Sequence, residues 1–323
     1  MRLLFLRGQV PSDRPASQIT FNTLSENDDM WLQLANRLVT KTNGYGELWY
    51  EKGNRVVDYS DAFKERWVDR YAKTKCLFTP DVVFARGGFD FMTVEAARHK
   101  SAVKIYYGAG ARAVPPAGGP WDLVFVDTLK QLMAAQNNGY CASLFVKPAA
   151  DNVFMPMPAE KRYDVIFVAN YSKHAYKGHT FVLDALKGVP FIHVGISRSK
   201  WAKTCPTGTF TGWVPRKELP LLYAQAKVAV IHTRGQDSCP RVVPEALACG
   251  CPILVSNSTR LNFDLYCPKN VGRVFDETTF SDDLDWALRN YNKLSPRNHY
   301  TNHLSIDRAV DNILNCLRQV PNG

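Results

Sequence analysis

The stretch QDSCPRVVPEALACGCPILVS, residues 236–256, decides the reading of this chain. It is entered from an apolar run, AKVAVIH at 226–232, and left through CPILV at 251–255. Runs of that length and composition read as buried parallel strands. Gly250 stands where a left-handed cap follows the last helical residue and Pro252 blocks continuation, so the helix between the strands ends at Cys249. Pro240 and Pro244 fall before or within its first turn, where a missing N–H costs least, which sets the start near Arg241. The unit is strand, loop, helix, strand, with the helix N-terminus turned to the loop. Uncommitted N–H groups there suit a diphosphate. Asp237 and Glu245 bracket that N-terminus; carboxylates accept hydrogen bonds only, so two of them beside an anion suit the hydroxyls of a ribose and a sugar. The ordinary alternative is an i, i+4 surface ion pair between Arg241 and Glu245.

Asp237 and Glu245, with the Ala-Leu-Ala-Cys-Gly-Cys-Pro that follows, resemble the acid-x7-Glu signature of retaining glycosyltransferases of the GT-B fold, glycogen-synthase-like family four. The resemblance implies roles for each position. The first acid, Asp237, touches the transferred sugar; the loop of Ser238, Cys239, Pro240, Arg241 and Val242 holds the distal phosphate; Glu245 holds the nucleotide ribose. The first acid is usually Glu in that family, and Asp237 is one methylene shorter, a difference that bears on the donor sugar. Lys177-Gly178 matches the family's Lys-Gly against the donor diphosphate, with Lys173 nearest to its usual Arg. Gly8, in the turn after the first strand, resembles the glycine loop of the family's first domain. The family often carries a histidine near the loop Tyr107-Gly108-Ala109-Gly110-Ala111-Arg112, and none occurs in it here. The resemblance implies that the nucleobase is read by backbone groups near Thr211-Gly212-Trp213-Val214, which leaves its identity open.

Bulk properties agree with a two-domain enzyme. The 323 residues are 46% apolar, enough for two ordinary cores. Eight cysteines show no C-x-x-C pair and no zinc spacing, so they read as reduced thiols of a cytoplasmic protein, with no metal site. Leu3 to Leu6 is too short for a signal peptide and no apolar run has membrane-spanning length, so the chain is expected to be soluble or at most peripheral at the inner membrane face, or in host cytoplasm if viral. Net charge is +10, and from Lys161 to Gly235 twelve Lys or Arg stand against three acids, against nine and ten from Gln236 to the end. A nucleotide donor needs one or two of those cations. The surplus suggests an anionic acceptor, nucleic acid or membrane surface, or else a soluble basic face.

Along the rest of the chain, short apolar runs at 3–6, 82–85, 103–107, 123–126 and 143–147 alternate with helical stretches at 93–99 and 129–136, the order of a parallel sheet with helices on its faces. Phe63, Trp67 and Tyr71 fall at i, i+4 and i+8 among five basic residues, which reads as an amphipathic helix, either core or a basic surface for lipid or nucleic acid. Arg86, Tyr107 and Arg112 lie in or beside glycine-rich loops at the carboxyl edge and are the candidates for acceptor contact. Arg234 precedes Asp237 and can reach phosphate or acceptor. A crossover at 148–157 is similar to the family's interdomain segment, with Asp151 and Phe154 in place. A final amphipathic helix at 306–317 is expected to pack back on the first domain.

The expectation is therefore an α/β protein of the GT-B fold, two Rossmann-like domains with parallel sheets facing across a cleft. The acceptor domain spans 1–157, the nucleotide-sugar domain 158–302, and a returning helix 303–323. It would move a hexosyl or pentosyl group from a nucleotide-diphosphate sugar, UDP-linked, to a hydroxyl of an anionic acceptor, with retention. The acceptor is DNA carrying hydroxymethylated pyrimidines or an envelope lipid or glycan. Lys177, Asp237 and Glu245 are the catalytic candidates, and no cofactor is required. A nucleotide-sugar epimerase of the same fold and a non-catalytic binding module are the alternatives.

Overall fold

The computed structural model describes residues 1–7, 29–51, 55–68, 76, 78–87, 90–108, 114–171, 177–195, 199–235 and 238–320. The chain divides into two units, Met1–Val146 with Ile306–Gly323, and Lys147–Ser305.

In the first unit β1 (Arg2–Arg7), β2 (Tyr45–Glu51), β3 (Arg55–Ser60), β4 (Phe63–Val68), β5 (Val82–Arg86), β6 (Val103–Gly108), β7 (Leu123–Val126) and β8 (Cys141–Leu144) form one sheet, ordered β3-β4-β2-β1-β5-β6-β7-β8. Every neighbouring pair is parallel except the edge pair β3 and β4. Leu3 to Leu6 and Val82 to Ala85 are buried throughout, as a sheet covered on both faces requires. The connecting helices are α1 (Met30–Lys41), α2 (Asp90–Arg98) and α3 (Leu129–Asn137). Asp29 starts α1 by accepting from the Trp31 N–H, while Thr128 and Gln131 close a reciprocal capping box at the head of α3. Strand order reverses at β1, the middle of the sheet, so Arg7 and Arg86 stand in register at the reversal.

The second unit holds β9 (Tyr163–Val168), α4 (His179–Ala185), β10 (Phe191–Val194), α5 (Ser199–Thr204), β11 (Gly208–Phe210), α6 (Leu219–Gln225), β12 (Ala226–Ile231), α7 (Val242–Ala248), β13 (Ile253–Ser256), α8 (Phe263–Tyr266), β14 (Gly272–Phe275), α9 (Phe280–Asn290) and α10 (Pro296–His303). Its sheet is wholly parallel in the order β11-β10-β9-β12-β13-β14. The chain steps outward from β9 through β10 to β11, then returns to the other side of β9 with β12. The loops leaving β9 and β12 thus diverge at the strand-order reversal, where open α/β sheets receive ligands. The core beneath them is built from Val165, Phe167, Val182, Leu183, Val228, Val230 and Leu254. Burying each such side chain stabilises the unit by about 1.5–3 kcal/mol before conformational entropy is counted.

The last helix, α11 (Ile306–Leu317), belongs to the first unit. It packs on α1, with Arg37 paired to Asp307 at 2.6 Å and Lys41 to Asp311 at 2.5 Å. Its apolar face is Ile306, Ala309, Val310 and Ile313.

Three sequence expectations are corrected. Residues 63–68 form the strand β4, not the head of a helix. A spacing of four residues keeps to one face in a strand as well as in a helix, so the aromatic repeat could not choose between them. Second, the unit boundary falls between Val146 and Lys147 rather than near Pro158. The crossover is bound into the second unit: the Lys147 N–H donates to Tyr266 Oη at 2.7 Å, the Ala149 N–H donates to Tyr300 Oη at 3.1 Å, and the Tyr300 hydroxyl donates to Asp151. Third, residues 143–147 are not a strand of that extent, since β8 ends at Leu144. Tyr71, from the aromatic repeat, lies outside the described residues.

Candidate functional site in the second unit

At the strand reversal, the loop after β9 ends in Lys177 and Gly178, and the latter starts α4 with φ of 63°. A side chain at Gly178 would put its first carbon 2.4 Å from Nδ1 of His232, the residue that follows β12. That close approach locks the β9 loop against the β12 loop, and only glycine allows it. His232 has no exposed side-chain surface; its Nε2 lies 2.8 Å from Glu277 Oε1, which Arg234 also meets at 3.2 Å. Burial lowers the His232 pKa from its ordinary value, opposed by Glu277. Lys177 is half-buried, and its charge contributes to depressing the nearby His179.

The β12 loop is held from beneath by the loop after β13. The Thr233 N–H donates to Thr259 Oγ1 at 3.2 Å, and the Ser258 hydroxyl donates to the Thr233 carbonyl at 3.0 Å. The Gly235 N–H donates to the Ser258 carbonyl at 3.2 Å, and the Cys239 N–H to the Arg260 carbonyl at 3.0 Å. Ser238, Cys239 and Pro240 are buried, Val242 is half-buried and Arg241 is exposed. Helix α7 runs from Val242 to Ala248 and is closed by Gly250 at φ of 75°, as the sequence predicts. Cys249 and Cys251 are buried free thiols; burial pushes Cys251 up to about 12 and Cys249 higher, so neither offers a reactive thiolate.

Glu245 sits in the first turn of α7 and is 4% exposed. Its Oε1 accepts from Arg216 Nη2 at 2.6 Å. Arg216 in turn lies over the Phe154 ring at 5.3 Å. The surface pair between Arg241 and Glu245 is therefore not the arrangement found. Arg216 stands in a single 3-10 turn, Arg216–Glu218, ahead of α6. That turn follows the Thr211 to Val214 segment, which the Gly195 N–H ties to β10 by donating to the Gly212 carbonyl at 2.7 Å. Trp213 is 60% exposed at that edge.

Under the β9 loop lies a histidine pair that sequence reading did not single out. His179 and His193 are buried with ring centroids 5.4 Å apart, and His179 stacks on Trp201 at 5.5 Å. His179 Nε2 reaches the Ala169 carbonyl at 3.2 Å, while neither ring nitrogen of His193 has a hydrogen-bond partner among the described residues. Burial is the main reason that both are pushed down to about 4. Well above pH 6.5 both rings are neutral in the folded and unfolded chain. Between about 6.5 and 4 the unfolded chain takes protons that the folded chain refuses, so stability falls as pH drops through that window. The ceiling is on the order of 3 kcal/mol per histidine. His193→Phe is expected to flatten this slope and to be neutral or about 1 kcal/mol stabilising at pH 7, because it removes two unsatisfied buried nitrogens. Urea midpoints at pH 7 and pH 5 for both proteins check it; an unchanged slope in the variant contradicts it.

The remaining sequence candidates divide plainly. Gly8, Arg112, Lys173 and Asp237 lie outside the described residues. In the first unit, Tyr107 is fully buried and its hydroxyl donates to Asp127 at 2.6 Å within an aromatic cluster with Trp31 and Phe145. Its expected acceptor contact is corrected on that ground: the hydroxyl is committed to the core. Arg86 lies at the carboxyl end of β5 with its guanidinium 4.8 Å over the Trp31 ring. Sequence reasoning missed Arg216, His232, Glu277 and the Ser256 to Arg260 loop. Their partners stand far along the chain, and only the strand order brings them together.

Residues 162–290 match the family model described as Glycosyl transferases group 1. The fold is similar to that of sucrose-phosphate synthase from Thermosynechococcus elongatus, with a TM-score of 0.70 at 11% identity over 99% of each chain. It is similar to HepE of Anabaena in complex with UDP, with a TM-score of 0.68 at 12% identity over 99% of this chain and 100% of that one. The lipopolysaccharide outer core galactosyltransferase WaaB gives 0.66 at 11% identity over 99% of each chain. No curated protein matches the chain in sequence. Two α/β units built on parallel sheets, with these likenesses, are the GT-B fold. Within the second unit, residues 162–290 carry a glycosyl transferases group 1 domain. The matched segment is the one that contains Lys177, Arg216, Glu245 and the loops around them.

Proposed function

We propose that this protein is a retaining glycosyltransferase of the glycogen-synthase-like type that takes its sugar from a UDP-linked donor and passes it to a hydroxyl on an anionic acceptor. The observation that carries the reading is the meeting of the Lys177-Gly178 turn with the β12 loop at the strand-order reversal, Glu245 standing one helical turn further on. The diphosphate would rest between Lys177 and the loop from Asp237 to Val242, with Arg234 at its rim. Glu245, its Oε1 taken by Arg216, keeps the lone pairs of Oε2 for a ribose hydroxyl. Asp237 is assigned to the sugar by the signature alone.

As the bond from the anomeric carbon to the phosphate oxygen breaks, negative charge grows on the diphosphate. A fixed cation and oriented N–H groups stabilise it without reorganising. The acceptor hydroxyl attacks from the face the leaving group vacates, and a phosphate oxygen takes its proton, so no protein nucleophile is needed. UDP and UDP-glucose are held by the Anabaena relative, which supports the donor class. The basic block from Lys161 to Gly235 supports an acceptor that is itself anionic, whether hydroxymethylated DNA or an envelope lipid or glycan.

A thermal-shift screen of nucleotide sugars, followed by UDP release with each acceptor class, tests the reading. UDP-sugars should raise Tm, and free UDP should appear only when acceptor is present. Activity on modified DNA that collapses with salt assigns a nucleic acid; activity on anionic vesicles alone assigns the envelope class. Stabilisation by no nucleotide diphosphate contradicts the function.

A further inference from the structure

Lys147, the first residue of the second unit, has no place in the signature described above, yet it is only 7% exposed and its Nζ donates to the Cys239 carbonyl at 2.7 Å. The described residues bring no carboxylate into ion-pair distance of that ammonium. A lysine is seldom buried with only a carbonyl for partner, because its charge loses hydration without compensation. Its own backbone is fixed as well, by the hydrogen bond from its N–H to Tyr266 Oη at 2.7 Å.

The carbonyl it holds belongs to an unusual residue. Cys239 has φ of 51°, the left-handed region, which a side chain other than glycine's rarely adopts. It also precedes Pro240, a position that disfavours compact helical backbone of its own accord. Such a conformation persists only when its surroundings hold it. Here they do so from both sides: the Cys239 N–H donates to the Arg260 carbonyl at 3.0 Å, and the Cys239 carbonyl accepts from Lys147. The next residues, Pro240 and Arg241, lead directly into α7.

We propose that Lys147 is a positioning residue for donor binding. It clamps Cys239 in the left-handed turn and thereby sets the loop that meets the donor's diphosphate, with its unit charge behind that loop favouring an anion in front of it. This rests on the reading of the 238–242 loop as the diphosphate site. The nucleoside end of the donor would be held elsewhere, by Glu245 and the Thr211 to Val214 segment, so the clamp acts on the phosphates alone.

The test measures UDP and uridine binding to the full-length chain, by calorimetry and saturation-transfer NMR. In Lys147→Met, UDP affinity should fall roughly tenfold or more while uridine affinity is unchanged. Adding Cys239→Gly, which adopts the turn without a clamp, should recover part of the UDP affinity. Equal UDP affinity in wild type and Lys147→Met overturns the proposal, as does parallel loss of UDP and uridine or no recovery with Cys239→Gly. Should the methionine variant not fold, Lys147→Leu, which likewise lacks a donor, is read the same way: selective loss of UDP supports the clamp, and unchanged UDP affinity overturns it. Wild type that binds no UDP defeats the functional reading instead, a result distinct from all of these.

Discussion

Lys177→Ala is expected to lower kcat by on the order of 10²–10³-fold, the cost of removing one preorganised donor from a developing oxyanion. The residue stands half-buried at the turn that closes β9 onto α4, where Gly178 is pressed against His232. An ammonium held there is in place before the reaction starts, so its effect falls on the transition state more than on ground-state binding. KM for the donor should change less than kcat. Lys177→Arg keeps the charge and should recover part of the rate, since position and not only sign matters. Because Lys177 lies in a turn outside the strands and helices, Tm should move by only a few degrees. Full activity in the alanine variant would remove Lys177 from the mechanism. A general loss of stability would make it structural.

Glu245→Ala should act twice, and the two effects can be separated. On the proposed function it deletes an acceptor of the donor's ribose hydroxyl, a loss of about 1.5–3 kcal/mol, so kcat/KM should fall roughly ten- to a hundredfold, mostly through KM. It also takes from Arg216, whose side chain is 20% exposed, the 5% exposed carboxylate that it meets at 2.6 Å. Breaking a buried pair by removing one partner costs about 3–5 kcal/mol, and the partial exposure of Arg216 places this case at the low end. The double variant Arg216→Met with Glu245→Ala removes the guanidinium together with its carboxylate. It should regain most of the lost stability, because the methionine stem keeps the packing on Phe154, and yet keep the donor KM raised. Chemical denaturation and donor kinetics on the three proteins give the answer. Recovery of both stability and KM in the double variant would mean that Glu245 only supports the fold.

The parts of this protein that were legible in its sequence are those set by neighbours in the chain. The strand, loop, helix, strand unit around Gly250 could be read from two apolar runs and the placement of Pro240, Pro244 and Pro252, and α7 with its glycine cap follows that reading. The final helix, Ile306–Leu317, was equally plain because its apolar residues recur at helical spacing over three turns. The aromatic repeat at 63–71 misled because a step of four residues satisfies a strand as well as a helix. What could not be read was pairing at long range. Arg216 is 29 positions from Glu245, and Lys147 is 92 positions from Cys239. Each looks like a solvated cation until the order β11-β10-β9-β12-β13-β14 folds the chain back on itself. His193 was hidden for the opposite reason: it lies inside an apolar strand, where a histidine passes for a core residue. Tyr107 shows the same limit from the other side, since a tyrosine beside a glycine loop resembles a ligand contact until its hydroxyl is found on Asp127.

The central claim is that the two loops at the strand-order reversal of the second unit hold a nucleoside diphosphate, and a crystal structure of the protein with UDP tests it most directly. The account predicts the diphosphate against residues 238–242 and within reach of Lys177, with the ribose hydroxyls at Glu245. UDP bound away from both loops, or bound there with its ribose turned from Glu245, would contradict it.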